Sequence, residues 1–195
     1  MDFNIRKARP EDVAPVAEIY EKLHTQEEAG RAVIGWVRGI YPTIEDAEQA
    51  QQAGELYVLE AEGEILAAGR INRAQVAEYC QIDWRYAAED EKVCVLHTLV
   101  VDPEKSGLGL GSAMLDYYEA LAREMGCTVL RIDTNEKNAS ARRLYARRGW
   151  REAGVVPCCF NGIREVRLVC LEKRLAFLYK QEKIHGFPVD SLTFL

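Results

Sequence analysis

Residues 93–132 constrain the fold most. Positions 93–101, VCVLHTLVV, are rich in β-branched residues and run into Asp102-Pro103, where the missing proline N–H ends a strand. Gly107, Gly109 and Gly111 follow at alternate positions. Residues 112–125 then place Met114, Leu115, Tyr118 and Leu121 on one helical face, and Gly126 supplies a stop. A second buried-type strand is expected over 127–132. Two apolar strands joined by one crossover helix put the chain in a mixed α and β class.

The flanking segments fill out that class. Residues 3–8 read as a short first strand. Val13, Val16, Tyr20 and Leu23 have helical spacing, and residues 26–53 read as a second helical region broken at Tyr41-Pro42. The runs 56–61 and 65–71 enclose Glu62-Gly63-Glu64, a hairpin signal. A helix is expected over 139–148, stopped by Gly149, with closing strands at 150–156 and 165–171.

At 195 residues and 48% hydrophobic, the chain can bury a core without disulfide or metal staples. The net charge of -6 argues against a nucleic-acid partner, which needs a basic face. The start MDFNIRKARPED has no apolar signal core, and no apolar run reaches membrane-spanning length, so a cytoplasmic protein with no membrane partner is expected. Cys80, Cys94, Cys127 and Cys170 read as small buried hydrophobes, and Cys158 and Cys159 are too close in sequence to bridge readily. No Cys-x-x-Cys occurs, and His24, His97 and His185 are scattered, so no metal site is expected.

The glycine segment, 101–112, reads VDPEKSGLGLGS. Its glycines let the backbone approach a ligand, and the following helix N-terminus adds partial positive charge, which together suit a pyrophosphate. The spacing fits neither a dinucleotide-binding turn nor an ATP loop, so a plain strand-to-helix turn is the alternative. In a second segment, Asn138, Ala141 and Tyr145 fall three and four apart on one helix face, with Gly149-Trp150 beyond. A polar–small–phenol face suits a ligand; the alternative is Asn138 as a helix cap and Tyr145 as a core ring.

Together the two segments resemble the GNAT superfamily of N-acetyltransferases. The family pattern is a strand ending Val-x-Pro, then Arg/Gln-x-x-Gly-x-Gly/Ala, later Asn-x-x-Ala-x-x-x-Tyr, a glycine and an aromatic. Here these fall on Val101, Pro103, Gly109, Gly111, Asn138, Ala141, Tyr145, Gly149 and Trp150. Ser106 stands where the family usually has Arg or Gln, which removes one phosphate partner.

The resemblance implies an α+β fold with a central mixed, mostly antiparallel sheet and helices on both faces. It would span residues 1–175, with an apolar extension at 176–195 docked on the domain or on a second copy in a homodimer. It implies acetyl-CoA as co-substrate, held by Leu99, Val100 and Val101 along the pantetheine. Ser106, Gly107, Leu108, Gly109, Leu110, Gly111 and Ser112 would bind the pyrophosphate, with Asn138, Ala141 and Tyr145 alongside. Tyr145 would protonate the departing thiolate. His97 is a candidate base, and a water chain from Asp83 or Asp133 is an equal alternative. Trp36, Tyr41, Tyr79, Trp84 and Tyr86 are candidate acceptor-pocket aromatics, and Glu27, Glu28, Glu89, Asp90 and Glu91 could draw in a cation. The implied acceptor is a small-molecule primary amine. A protein amine, and a non-catalytic acyl-CoA-binding module, are the alternatives.

Overall fold

A computed structural model describes residues 2–176 of the chain. The expectation of a docked tail falls on residues outside these, apart from Ala176. Seven strands form one sheet in the order β1-β2-β3-β4-β5-β7-β6. They are β1 Asn4–Lys7, β2 Leu56–Ala61, β3 Glu64–Asn72, β4 Val93–Val101, β5 Val129–Asn135, β6 Arg151–Phe160 and β7 Ile163–Arg174. Every neighbouring pair is antiparallel except β4 and β5. The helices are α1 Val13–Glu28, α2 Ile44–Gln52, α3 Leu110–Glu124 and α4 Ala139–Arg147.

The sheet is covered on both faces, which explains the near-continuous apolar run of β4. Cys94 and Leu96 pack under α3, while Val93 and Val95 face the opposite layer. The face of α3 made by Met114, Leu115, Tyr118 and Ala122 is fully buried. Its Tyr118 hydroxyl donates to the carbonyls of Cys94 at 2.6 Å and Arg131 at 3.1 Å, pinning the helix across β4 and β5. On the other face Val13, Val16, Ile19 and Tyr20 of α1, with Ala47 and Ala50 of α2, cover Leu56, Val58, Ala68 and Val100.

Two irregularities open the sheet. The β4–β5 ladder ends at Leu96 and Ile132; beyond it β4 continues on β3 and β5 on β7, so the strands part like a V. Just past that point His97 pairs with Arg70 and Val100 with Ala68, leaving Thr98 and Leu99 opposite Gly69 alone. This is a β-bulge, with Thr98 at φ 50°. A Cβ on Gly69 would sit 2.9 Å from Leu96 Cδ1, so a side chain opposite the bulge would have to displace Leu96.

Several expectations need correction. Of residues 26–53 only the ends are helical: α1 runs to Glu28, residues 29–43 form no helix, and α2 starts at Ile44. Gly30, Gly35 and Gly39, all at positive φ, break the periodicity. Thr43 and Asp46 then form a capping box that starts α2. α3 begins at Leu110 rather than Ser112, because Gly109 in the left-handed conformation serves as its N-cap. Cys80 is exposed, on a short 3₁₀ turn, whereas Cys94, Cys127 and Cys170 are buried as expected.

Candidate active site

The V between β4 and β5 opens into a cleft of about 990 Å³. One wall is the segment from Leu99 through Val101 to Ser106, Gly107, Gly109, Leu110, Gly111 and Ser112; the other is Asp133 to Asn135 with Asn138, Ala141 and Tyr145 of α4. Nearly every residue expected at the cofactor therefore lines one cavity. Leu108 does not: its side chain is 54% exposed and turned from the cleft.

The glycines divide their work. Gly107 and Gly109 adopt φ 83° and 79°, where a side chain would be strained. Gly111 instead allows close helix approach, since a Cβ there would meet Leu144 Cδ2 of α4 at 3.1 Å. Loop and helix thereby place successive amides and the α3 N-terminus at the cleft, an arrangement suited to phosphate oxygens. Lys105 also lines the cleft, but its ammonium is paired with Glu64 at 3.3 Å. Lys137, Arg143 and Arg147 line the cleft without an ion-pair partner among the described residues. Sequence reading missed these cations; the signal was Arg143 and Arg147 four apart on α4.

Asn138 caps α4, its Oδ1 accepting from Ala141 N at 3.0 Å. The cap reading and the ligand reading are compatible, because the amide NH₂ stays free to donate. Tyr145 is buried against Trp150, ring centroids 6.1 Å apart, and burial first and the Asp133 charge second raise its pKa. A phenol held this way stays protonated at neutral pH.

A smaller cavity of about 250 Å³ adjoins the cleft and shares Tyr41, Thr98, Asp133 and Phe160 with it. Tyr20, Asp46, Arg70, Asn72, Gln75, His97 and Asn161 complete its polar side-chain lining. The loop 29–43 covers it from one side. The Ile34 and Gly35 amides of that loop donate to Glu27, and a Cβ on Gly35 would collide with the Asn135 side chain. The β6–β7 turn closes the other side, where a Cβ on Gly162 would lie 3.1 Å from Ile40 Cγ2. The Tyr41 hydroxyl hydrogen-bonds Thr98 at the bulge.

Two titratable groups here depart strongly from their ordinary values. His97 is pushed down to about 4 by burial and by the Arg70 guanidinium, and its Nε2 lies 3.0 Å from Asn72 Oδ1. Asp133 is pushed up to about 7 by burial, against the opposing hydrogen bond that the Tyr79 hydroxyl donates at 2.9 Å. Asp133 borders both cavities, and its charge reaches Tyr145 on the cofactor side and Tyr41 on the other. Asp83 is exposed and borders neither.

Of the expected aromatics, Trp36 lines the cleft and Tyr41 both cavities, whereas Tyr79, Trp84 and Tyr86 pack against β5–β7. Glu27 and Glu28 are engaged by the 29–43 loop, Glu28 through Arg38 at 2.8 Å. Glu89, Asp90 and Glu91 lie on the surface.

A family model for the acetyltransferase (GNAT) family matches residues 16–150. An uncharacterised N-acetyltransferase of Methanocaldococcus jannaschii is 29% identical over 77 residues, 40% of this chain and 34% of the relative's length. Two solved structures show the same fold. A GNAT-family acetyltransferase of Streptococcus agalactiae gives a TM-score of 0.74 at 19% identity, covering 88% of this chain and 95% of that one. A candidate acetyltransferase of Salmonella typhimurium, solved with its cofactor acetyl-CoA, gives 0.62 at 21% identity, covering 98% and 100%. Among the described residues no helix is long and apolar enough to cross a membrane.

Proposed function

Because the chain belongs to the GNAT acetyltransferase family, we propose that it transfers an acetyl group from acetyl-CoA to the primary amine of a small molecule, by direct attack within a ternary complex. The observation that carries this reading is the junction of a long, glycine-walled cleft with a smaller cavity at Asp133, Thr98 and Tyr41. One cavity suits an extended phosphate-bearing thioester, the other a small acceptor. The approach of the β6–β7 turn to the 29–43 loop, where Gly162 faces Ile40, narrows this side and supports a small acceptor over a protein chain.

Acetyl-CoA, when bound, supplies an activated acetyl thioester. The chain's residues do the rest. Amides from Gly107 to Ser112 hold the pyrophosphate, with Lys137, Arg143 and Arg147 supplying the positive charge that Ser106 does not. The bulge leaves main-chain groups of Thr98 and Leu99 without full ladder partners beside the junction, where an N–H can polarise a carbonyl oxygen. Asp133 takes the proton that the attacking amine loses, and Tyr145 gives one to the departing sulfur. Asp133 fits the base better than His97: a group near 7 is both available and basic at neutral pH, whereas one near 4 is available but too weak a base. The proton balance closes when solvent recharges Tyr145 and discharges Asp133.

The test is calorimetric titration with acetyl-CoA, followed by a thiol-release assay across primary amines. Binding together with amine-dependent thiol release is expected. No binding heat, or binding without release for any amine, overturns the reading.

A further inference from the structure

The acceptor cavity carries more negative charge than one reacting amine needs. Three charged side chains border it: Asp46, Arg70 and Asp133. Arg70 is already offset, its Nε and Nη2 lying 2.8 and 2.7 Å from Glu55 Oε2. Burial pushes the Glu55 carboxyl up, but hydrogen bonds from Asn72 and Arg70 outweigh it, so Glu55 stays ionised and holds the guanidinium. His97 is neutral at physiological pH. Asp46 and Asp133 remain, and neither has an ion-pair partner among the described residues.

The two carboxylates differ in which cavity they reach. Asp133 borders both cavities; Asp46, on the first turn of α2, borders the acceptor cavity alone. Both charges act on the buried Tyr41 hydroxyl, and that of Asp46 also on Tyr20. Asp46 Oδ2 caps α2 by accepting from Thr43 N at 2.7 Å and Oγ1 at 3.2 Å, which leaves Oδ1 without a partner. The smaller cavity thus has one acidic group shared with the cleft and a second that the cleft does not share, with Tyr20 and Tyr41 in the same lining.

Resting on the amine-acetylation reading above, we infer that the acceptor is a short aliphatic diamine, its reacting nitrogen beside Asp133 and its second ammonium at Asp46 between Tyr20 and Tyr41. A plain monoamine would leave the Asp46 charge with only its Thr43 hydrogen bonds and no cation. An ω-amino acid would set its carboxylate against Asp46, with the nearest guanidinium already committed to Glu55. The second ammonium gains both the carboxylate and the aromatic faces.

The test compares 1,4-diaminobutane, butylamine and 4-aminobutyrate under saturating acetyl-CoA by thiol release. The diamine is expected to exceed butylamine in kcat/KM by about tenfold or more, and 4-aminobutyrate by a wider margin. Asp46→Asn keeps an acceptor oxygen for the α2 cap and removes the charge. It should raise the diamine KM about tenfold with kcat largely kept, and collapse the diamine preference to about threefold or less. Equal or better turnover of either other amine overturns the diamine inference and leaves the acetyltransferase reading standing. So does an Asp46→Asn variant, melting like the parent, that keeps the preference. Acetyl-CoA binding with turnover of none of the three also counts against the diamine, whereas no binding of acetyl-CoA removes the broader reading.

Discussion

Replacing Asp133 by asparagine tests the mechanism at its most exposed point. The carboxyl sits at the cavity junction with a pKa near 7, raised by burial against the Tyr79 hydrogen bond. A group of pKa 7 is about one-tenth ionised at pH 6 and about nine-tenths at pH 8. Under saturating amine, kcat of the parent should therefore rise roughly tenfold across that interval and level off. Asp133→Asn should lose the inflection and about 100- to 10,000-fold in kcat, the usual worth of a positioned base. The same substitution makes an opposite prediction for stability. An acid whose folded pKa lies above its unfolded value of about 4 stabilises the fold fully below pH 4, and that contribution is lost as pH rises through 7. A shift of about three units corresponds to at most about 4 kcal/mol. Asp133→Asn, neutral throughout, should melt above the parent at pH 8 and lose that advantage toward pH 4. A variant that keeps the inflection near 7 refutes the base assignment, and one that melts lower than the parent at pH 8 refutes the burial argument.

Other expectations follow from the same neighbourhood. Tyr79→Phe removes a donor that favours the Asp133 anion, so the kcat inflection should move about one unit alkaline; an unmoved or acid-shifted profile would contradict the contact's role. Tyr145→Phe should cut kcat by about 10- to 100-fold or more while leaving the acetyl-CoA Kd within about threefold, read by pairing stopped-flow thiol release with calorimetry. Ser106→Arg should tighten acetyl-CoA binding several-fold. Arg143→Ala with Arg147→Ala should weaken it by about tenfold and flatten its salt dependence; equal salt slopes in variant and parent would remove these arginines from the phosphate site.

The parts of this molecule legible in its sequence are those governed by local rules. The run 93–101 has apolar residues for both faces and becomes β4; Gly126 ends α3; Gly109 and Gly111 stand where a turn and a helix contact demand them. The residues expected at the cofactor could be listed almost one by one because they lie on two continuous segments that line the larger cleft. The acceptor side was less readable because it is assembled across the fold: Asp46 from α2, Tyr41 from a glycine-broken loop, Arg70 from β3, Phe160 from a hairpin. Nothing in the residue string distinguishes Asp133 from Asp83. Tertiary burial separates them, leaving one exposed and forcing the other up to about 7. His97 misleads for the same reason. A free imidazole titrates in the useful range, and folding takes it out of that range by dehydrating it beside Arg70.

Thr98 ties these separate parts into one device. A β-branched residue at φ 50° costs roughly 1–2 kcal/mol relative to ordinary strand geometry. The bulge that requires this conformation frees main-chain groups next to the thioester cleft, where an unstrained ladder would have paired them with β3. Two features offset the cost. Gly69 opposite the bulge gives Leu96 room, and the Tyr41 hydroxyl bonds the Thr98 side chain. Tyr41 belongs to the loop that covers the acceptor cavity, so the contact that steadies the bulge also holds the cover. The hydrogen bond between Tyr41 and Thr98 links the 29–43 loop to the bulge, so on the proposed reading a change that loosens that loop is expected to act on turnover as well as on acceptor affinity.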